Sequence, residues 1–172
     1  MGAEGAEAAL RLVALSVGDR DRVRGWLGEQ SVGHWLGTAA QAEAELTVAF
    51  ASPSAICRLI AYDGDAIGYA HALDSALLGT DDVPDAMVGD WACSVFIAAR
   101  QHRGKGLGSI ALRQLIDEVF STTMASGCAI RVPVRSERAV RALEAMGLTW
   151  SAIEHVAPHG PMWLMHAERP RR

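Results

Sequence analysis

The run Gln101-His102-Arg103-Gly104-Lys105-Gly106-Leu107-Gly108 does most to limit what this chain can fold into. An apolar stretch from Trp91 to Ile97 precedes it. Apolar residues at 107, 110, 111, 115 and 119 follow it at helical spacing. A strand, a glycine-rich loop and a helix in that order form an anion-binding arrangement. Glycines let backbone N–H groups approach the ligand, and the helix N-terminus adds about half a positive charge. Arg103 and Lys105 act in the same electrostatic sense.

Two nucleotide motifs do not fit this loop. A P-loop needs Ser or Thr after its lysine, and Gly106 follows Lys105. The dinucleotide fingerprint needs a third glycine where Ser109 stands, and it opens a chain instead of lying in its second half.

The rest of the chain reads as one α/β domain. Leu10 to Val17 is a strand, and Asp19 is placed to cap a helix. Gly25, Gly28, Gly33 and Gly37 then interrupt the pattern, giving a glycine-rich, Trp-bearing segment. A helix follows from a Thr38 cap to about Phe50. Ala55 to Tyr62 and Ala66 to Leu73 flank Asp63-Gly64-Asp65 as a hairpin. Asp74 to Gly89 is a loop, Trp91 to Ile97 a strand, Ala98 to Gly106 a loop and Leu107 to Phe120 a helix. Cys128 to Val134 is the next strand, and Ser136 caps a helix that runs to Met146. Leu148 to Val156 and Met162 to Ala167 are the last strands. Residues 1–9 are expected to be a flexible lead, 10–168 the domain, and 169–172 a frayed basic tail.

Composition removes several classes. With 50% apolar and 21% charged residues the chain has a core and is not disordered. A net charge of −4 disfavours nucleic acid as a partner. No apolar run approaches the roughly 20 residues needed to cross a bilayer. The three cysteines, Cys57, Cys93 and Cys128, are odd in number and lie in apolar stretches, which points to a reducing, cytoplasmic setting. No cysteine or histidine spacing suggests a metal site.

The pattern Q/R-x-x-G-x-G/A is met by Gln101, Gly104 and Gly106, and it resembles the pyrophosphate-binding motif of the GCN5-related N-acetyltransferase (GNAT) superfamily. Ser136-x-x-Ala139-x-x-x-Leu143-x-x-x-Gly147-Leu148 is similar to that superfamily's N-x-x-A-x-x-x-Y-x-x-x-G-F helix, with two departures. Ser136 replaces an Asn that reaches toward the cofactor, and Leu143 replaces a Tyr that protonates the departing CoA thiolate. Trp26-Leu27, Gly33 to Gly37, Gly64 to Tyr69 and Gly104 to Gly108 look like the aminoglycoside 6′-N-acetyltransferase branch. The resemblance implies a mixed, mostly antiparallel sheet of about six or seven strands flanked by about four helices. It also implies acetyl-CoA, or another acyl-CoA, held in a split between the fourth and fifth strands. By that resemblance Val95, Phe96, Ile97, Gln101, His102, Arg103, Gly104, Lys105, Gly106, Leu107, Gly108, Ser109 and Ser136 hold the cofactor.

The acceptor side is read from chemistry. Amide formation needs a neutral amine and a destination for its proton. Asp90, at the start of the cofactor strand, is the candidate base, and Ser94 a candidate orienter or water holder. Asp81, Asp82, Asp85 and Asp90 lie within ten residues; such a loop would draw in a polyamine or aminoglycoside, or is a solvated connection. Trp26, Trp35 and Trp91 are candidates to stack on the acceptor, or are core. Cys93 suggests a thioester route, but without an adjacent base direct attack is preferred. The expectation is acetyl transfer to a primary amine of a small cationic molecule, by a monomer or homodimer. The alternatives are a protein N-terminus or siderophore lysine as acceptor, and a catalytically silent CoA-binding module.

Overall fold

The computed structural model describes residues 3–29, 39–78, 89–156 and 160–170. Among them are seven strands in one sheet: β1 (Leu10–Ala14), β2 (Ile56–Tyr62), β3 (Asp65–Asp74), β4 (Trp91–Ile97), β5 (Gly127–Pro133), β6 (Thr149–Val156) and β7 (Gly160–Glu168). Five helices accompany them: α1 (Ala3–Ala9), α2 (Arg20–Gly28), α3 (Ala39–Ala51), α4 (Leu107–Thr122) and α5 (Glu137–Ala145). The sheet order is β1-β2-β3-β4-β5-β7-β6, with every neighbouring pair antiparallel except β4–β5. This is the mixed, mostly antiparallel α/β architecture expected. None of the described helices is long and apolar enough to cross a membrane.

Local chemistry sets the elements. At the β2–β3 hairpin, Asp63 and Gly64 both take positive φ, 51° and 89°, the requirement of a type I′ turn whose twist matches its strands. In α4, Leu107, Ala111, Leu115 and Val119 recur every four residues and are buried against the sheet, joined by Leu112 and Ile116. Each large side chain in that stripe contributes about 1.5–3 kcal/mol relative to exposure. Successive strand residues point to opposite faces, so Ala70 and Ala72 of β3 join the α4 core while Tyr69 joins a second one. That second core, on the other face, gathers Val23 and Leu27 of α2, Ala42 and Leu46 of α3, Leu59 and Phe96.

Four local readings change. Residues 3–9 form α1, which lays Ala6 and Ala9 against the main core. Asp19 does not cap the helix after it; its carboxylate accepts the backbone N–H and hydroxyl of Ser16 and closes a short 3-10 turn. Gly25 and Gly28 lie within α2, because Val23, Trp26 and Leu27 give that segment a buried stripe that outweighs their weak helix propensity; Gly33, Gly37 and Thr38 lie outside the described residues. Arg169 is not frayed. Its guanidinium donates to the carbonyls of Phe120, Thr123 and Ala125 at 2.6–2.8 Å and lies over the Phe120 ring. It thereby satisfies carbonyls at and just beyond the C-terminus of α4, where a cation is electrostatically favoured.

Candidate active site

Parallel pairing of β4 with β5 is brief. Trp91 pairs with Cys128 and Ala92 with Ala129, and there it stops. β4 continues along β3 as far as Ile97, and β5 along β7 as far as Pro133, so the two strands diverge. A cavity of about 240 Å³ occupies the gap. Cys93, Ser94 and Val95 line one wall, and Ile130 to Pro133 line the other. Gly108, Ser109 and Leu112 of α4 border it, as do Ala139, Ala142 and Leu143 of α5. Alternation places Cys93 on the α4 face and Ser94 on the opposite face, together with Ala92 and Phe96. The gap therefore connects the two faces of the sheet.

At the wide end lies the glycine loop. Ala98 and Ala99 both donate to the Ile67 carbonyl, at 2.8 and 3.0 Å, which anchors the loop to β3. A 3-10 turn, Arg100–His102, leads to Gly104 and Gly106 at φ 73° and 81°, left-handed conformations that favour glycine. Ser109 and Ile110 close onto the Gly106 carbonyl. Among the described residues, nothing accepts a hydrogen bond from the backbone N–H of Gly104, Lys105, Gly106, Leu107 or Gly108. Five successive donors at the start of a sixteen-residue helix make an anion nest.

The side chains around this nest divide. Lys105 and Gln101 are exposed, and Ser109 faces the cavity. Arg103 turns back: its guanidinium donates to the carbonyls of Ile97 and Ala98, so it braces the loop and does not reach outward. His102 lies against the Tyr62 ring at 5.4 Å, away from the nest. On β4, Val95 lines the cavity, while Phe96 is buried in the second core and Ile97 packs on the main core. Ser136 is buried without a side-chain cap hydrogen bond to α5.

Arg138 was not anticipated. It reaches from the first turn of α5 to donate to the Gly104 carbonyl, tying α5 to the glycine loop. A signal existed in the sequence: a cation in the first turn opposes the helix dipole, so an Arg there needs another partner.

Acceptor-side expectations fare unevenly. Ser94 lines the cavity. Asp90 does not: 4% exposed, its carboxylate accepts Ser126 Oγ at 2.9 Å and meets His166 Nε2 at 2.6 Å. Trp91 is 8% exposed within the main core, because its side chain falls on the α4 face. Trp26 is half-buried and packs edge-on to Phe96 against the second core. Trp35, Asp81, Asp82 and Asp85 lie outside the described residues. Cys93 sits beside the Cys128 thiol, and that contact with burial pushes its own thiol well up, which makes a poor nucleophile at neutral pH.

A family model described as an acetyltransferase (GNAT) domain matches residues 17–153. No curated protein matches the sequence. Among solved structures, the aminoglycoside acetyltransferase AAC(6')-Ib in complex with coenzyme A superposes with a TM-score of 0.74 at 23% identity, over 93% of this chain and 95% of that one. Spermidine N-acetyltransferase from Vibrio cholerae, in complex with CoA and spermine, gives 0.72 at 14% identity over 94% and 96%. Aminoglycoside N(6')acetyltransferase from Legionella pneumophila gives 0.68 at 17% identity over 93% and 92%.

Proposed function

The chain belongs to the GNAT acetyltransferase family, and we propose that it moves an acetyl group from acetyl-CoA to a primary amine of a small cationic, aminoglycoside-like acceptor by direct attack. The observation that carries the cofactor half is the nest of five N–H groups, unpaired among the described residues, beside the β4/β5 gap. A pyrophosphate fits that nest, and a slender pantetheine arm fits a gap whose wall is an unpaired strand edge. When bound, acetyl-CoA supplies the thioester that the amine attacks.

The chain's own residues do the rest. Gly104 to Gly108 and the start of α4 hold negative charge, with Lys105 outside them. The free edge of β4 offers backbone groups to an extended ligand, and Leu112 and Leu143 exclude water on the α4 face. Ser94 presents a hydroxyl from the other face to orient the incoming amine. Leu143 cannot donate a proton, so no phenol serves that wall. We read Asp90 as an anchor for the start of β4, since both its oxygens are engaged and it lies off the cavity. A cationic acceptor is supported by the acidic 81–90 segment of the sequence and by likeness in fold to enzymes crystallised with kanamycin and spermine.

Calorimetry with acetyl-CoA tests the cofactor half. Gly106→Glu introduces charge at a position where a Cβ meets no heavy atom within 4 Å, though at a φ of 81° that strains any side chain. It should abolish binding in a protein that still melts cooperatively. Unchanged affinity would remove the nest from the reading. A thiol-release screen with kanamycin, spermine and a peptide amine then separates a small cation, a protein N-terminus and a silent CoA binder.

A further inference from the structure

At neutral pH an aliphatic amine arrives protonated, and the reading above leaves no residue to take that proton. His71 of β3 is buried, 4% exposed, with Nε2 2.8 Å from Oε1 of Glu45 on α3. Its Nδ1 is also buried and has no hydrogen-bond partner among the described residues. An unsatisfied buried polar atom costs about 1–3 kcal/mol. His71 is also the register partner of Ser94, the cavity's hydroxyl. Direct cross-strand partners share a face with Cβ atoms about 4.5–5.5 Å apart. His71 is therefore one residue from the gap, on the face opposite α4.

Resting on the transferase reading, we propose that His71, oriented by Glu45, is the base that deprotonates the acceptor amine. Glu45 accepts the Nε2–H, which leaves the lone pair on Nδ1. The ammonium N–H bond breaks and Nδ1–H forms. The electron pair left on the amine nitrogen attacks the acyl carbon, and the imidazolium is balanced by the Glu45 carboxylate. As the C–S bond breaks, the second amine proton ends on the released thiol. His71 then passes its own proton to water.

The groups around His71 suit this task. Burial alone would push the Glu45 carboxyl up, but the hydrogen bond and charge of His71, with Arg131 of β5, outweigh it and hold Glu45 below its usual range. Glu45 therefore remains an anion at neutral pH. Tyr69, whose ring is 5.4 Å away, and Cys57, the β2 partner of His71, are pushed up by burial and stay neutral.

His71→Gln tests the assignment, because the Gln amide can keep the bond to Glu45 while the lone pair at Nδ1 is lost. With kanamycin and spermine as probes, kcat should fall about 100-fold at neutral pH. The deficit should shrink as alkali delivers the amine already neutral. Acetyl-CoA affinity by calorimetry should not change. Nitrogen-15 NMR of the wild type should show Nε2 protonated and Nδ1 bare. A deficit equal at every pH, full activity of His71→Gln, or a protonated Nδ1 each overturns the assignment while the transferase reading stands. A wild type that binds acetyl-CoA yet releases no thiol with any amine overturns the transferase reading, and the assignment with it.

Discussion

Asp90→Asn decides between two tasks for one carboxylate. The acidic loop sequence suggested a base at this position, whereas the structure places a side chain only 6% exposed between Ser126 and His166. The backbone carbonyl of Asp90 accepts both the N–H and the hydroxyl of Ser75, at 3.1 and 2.7 Å, so the residue is pinned at both ends. The amide has the same size and can still accept from Ser126, but the charge on the His166 contact is lost. A hydrogen bond to a charged group is worth about 1.5–3 kcal/mol. Asp90→Ala, which leaves both partners stranded, should cost about 3–5 kcal/mol. In a domain of this size each kcal/mol lowers the melting temperature by about 2–4 °C, so the Asn variant should melt roughly 3–12 °C early. Urea titration should show a lower midpoint with unchanged slope. A double-mutant cycle with His166→Gln should return about 0.5–3 kcal/mol of coupling. Well below the melting temperature, kcat should stay within a few-fold of wild type. An Asn variant as stable as wild type whose kcat falls by two orders of magnitude would refute this and restore Asp90 as the base.

Three further outcomes are expected. A Cβ on Gly68 would lie 2.2 Å from the Phe96 carbonyl oxygen, so Gly68→Ala must part β3 from β4 and should cost more than about 3 kcal/mol in urea unfolding, with loss of acetyl-CoA binding. Leu143→Tyr places a phenol on the cavity wall and should keep or raise turnover; total loss in a folded protein would mean that Leu143 serves packing of the channel. Asp81→Asn with Asp82→Asn should raise the acceptor KM with kcat nearly intact, more visibly at low salt, and unchanged kinetics for every active amine would favour a peptide acceptor.

The parts of the fold legible in the sequence were those where one residue's backbone preference or one period decides the outcome. Gly104 and Gly106 fix the loop, the four-residue spacing from Leu107 to Val119 fixes α4, and Asp63-Gly64 fixes the hairpin. The proposed cofactor side follows from them because the donors it would use are backbone N–H groups of adjacent residues. The groups considered for the acceptor side are brought together from residues far apart in sequence. His71 and Glu45 are 26 positions apart, Asp90 just before β4 lies far along the chain from His166 of β7, and no local spacing connects either pair. Arg169 was read as tail because its three carbonyl partners lie more than forty residues earlier. Trp91 was read as a possible stacking residue because its sequence neighbours do not tell which face of β4 it occupies.

The parting of β4 from β5 also bears on unwanted pairing between strands of different molecules. Unpaired strand edges invite pairing with other chains, and proteins blunt outer edges with lysine, proline or a bulge. Here two such edges lie in the middle of the sheet, closed at one end by the Trp91–Cys128 pair and bordered by α4 and α5. A strand from another molecule brings flanking side chains and a sheet behind it, and the slot has no room for them. A thin, unbranched molecule with amide groups has neither. The walls thus act as a size filter on strand pairing, and β4 can keep an open edge inside the sheet without the lysine or proline an outer edge requires.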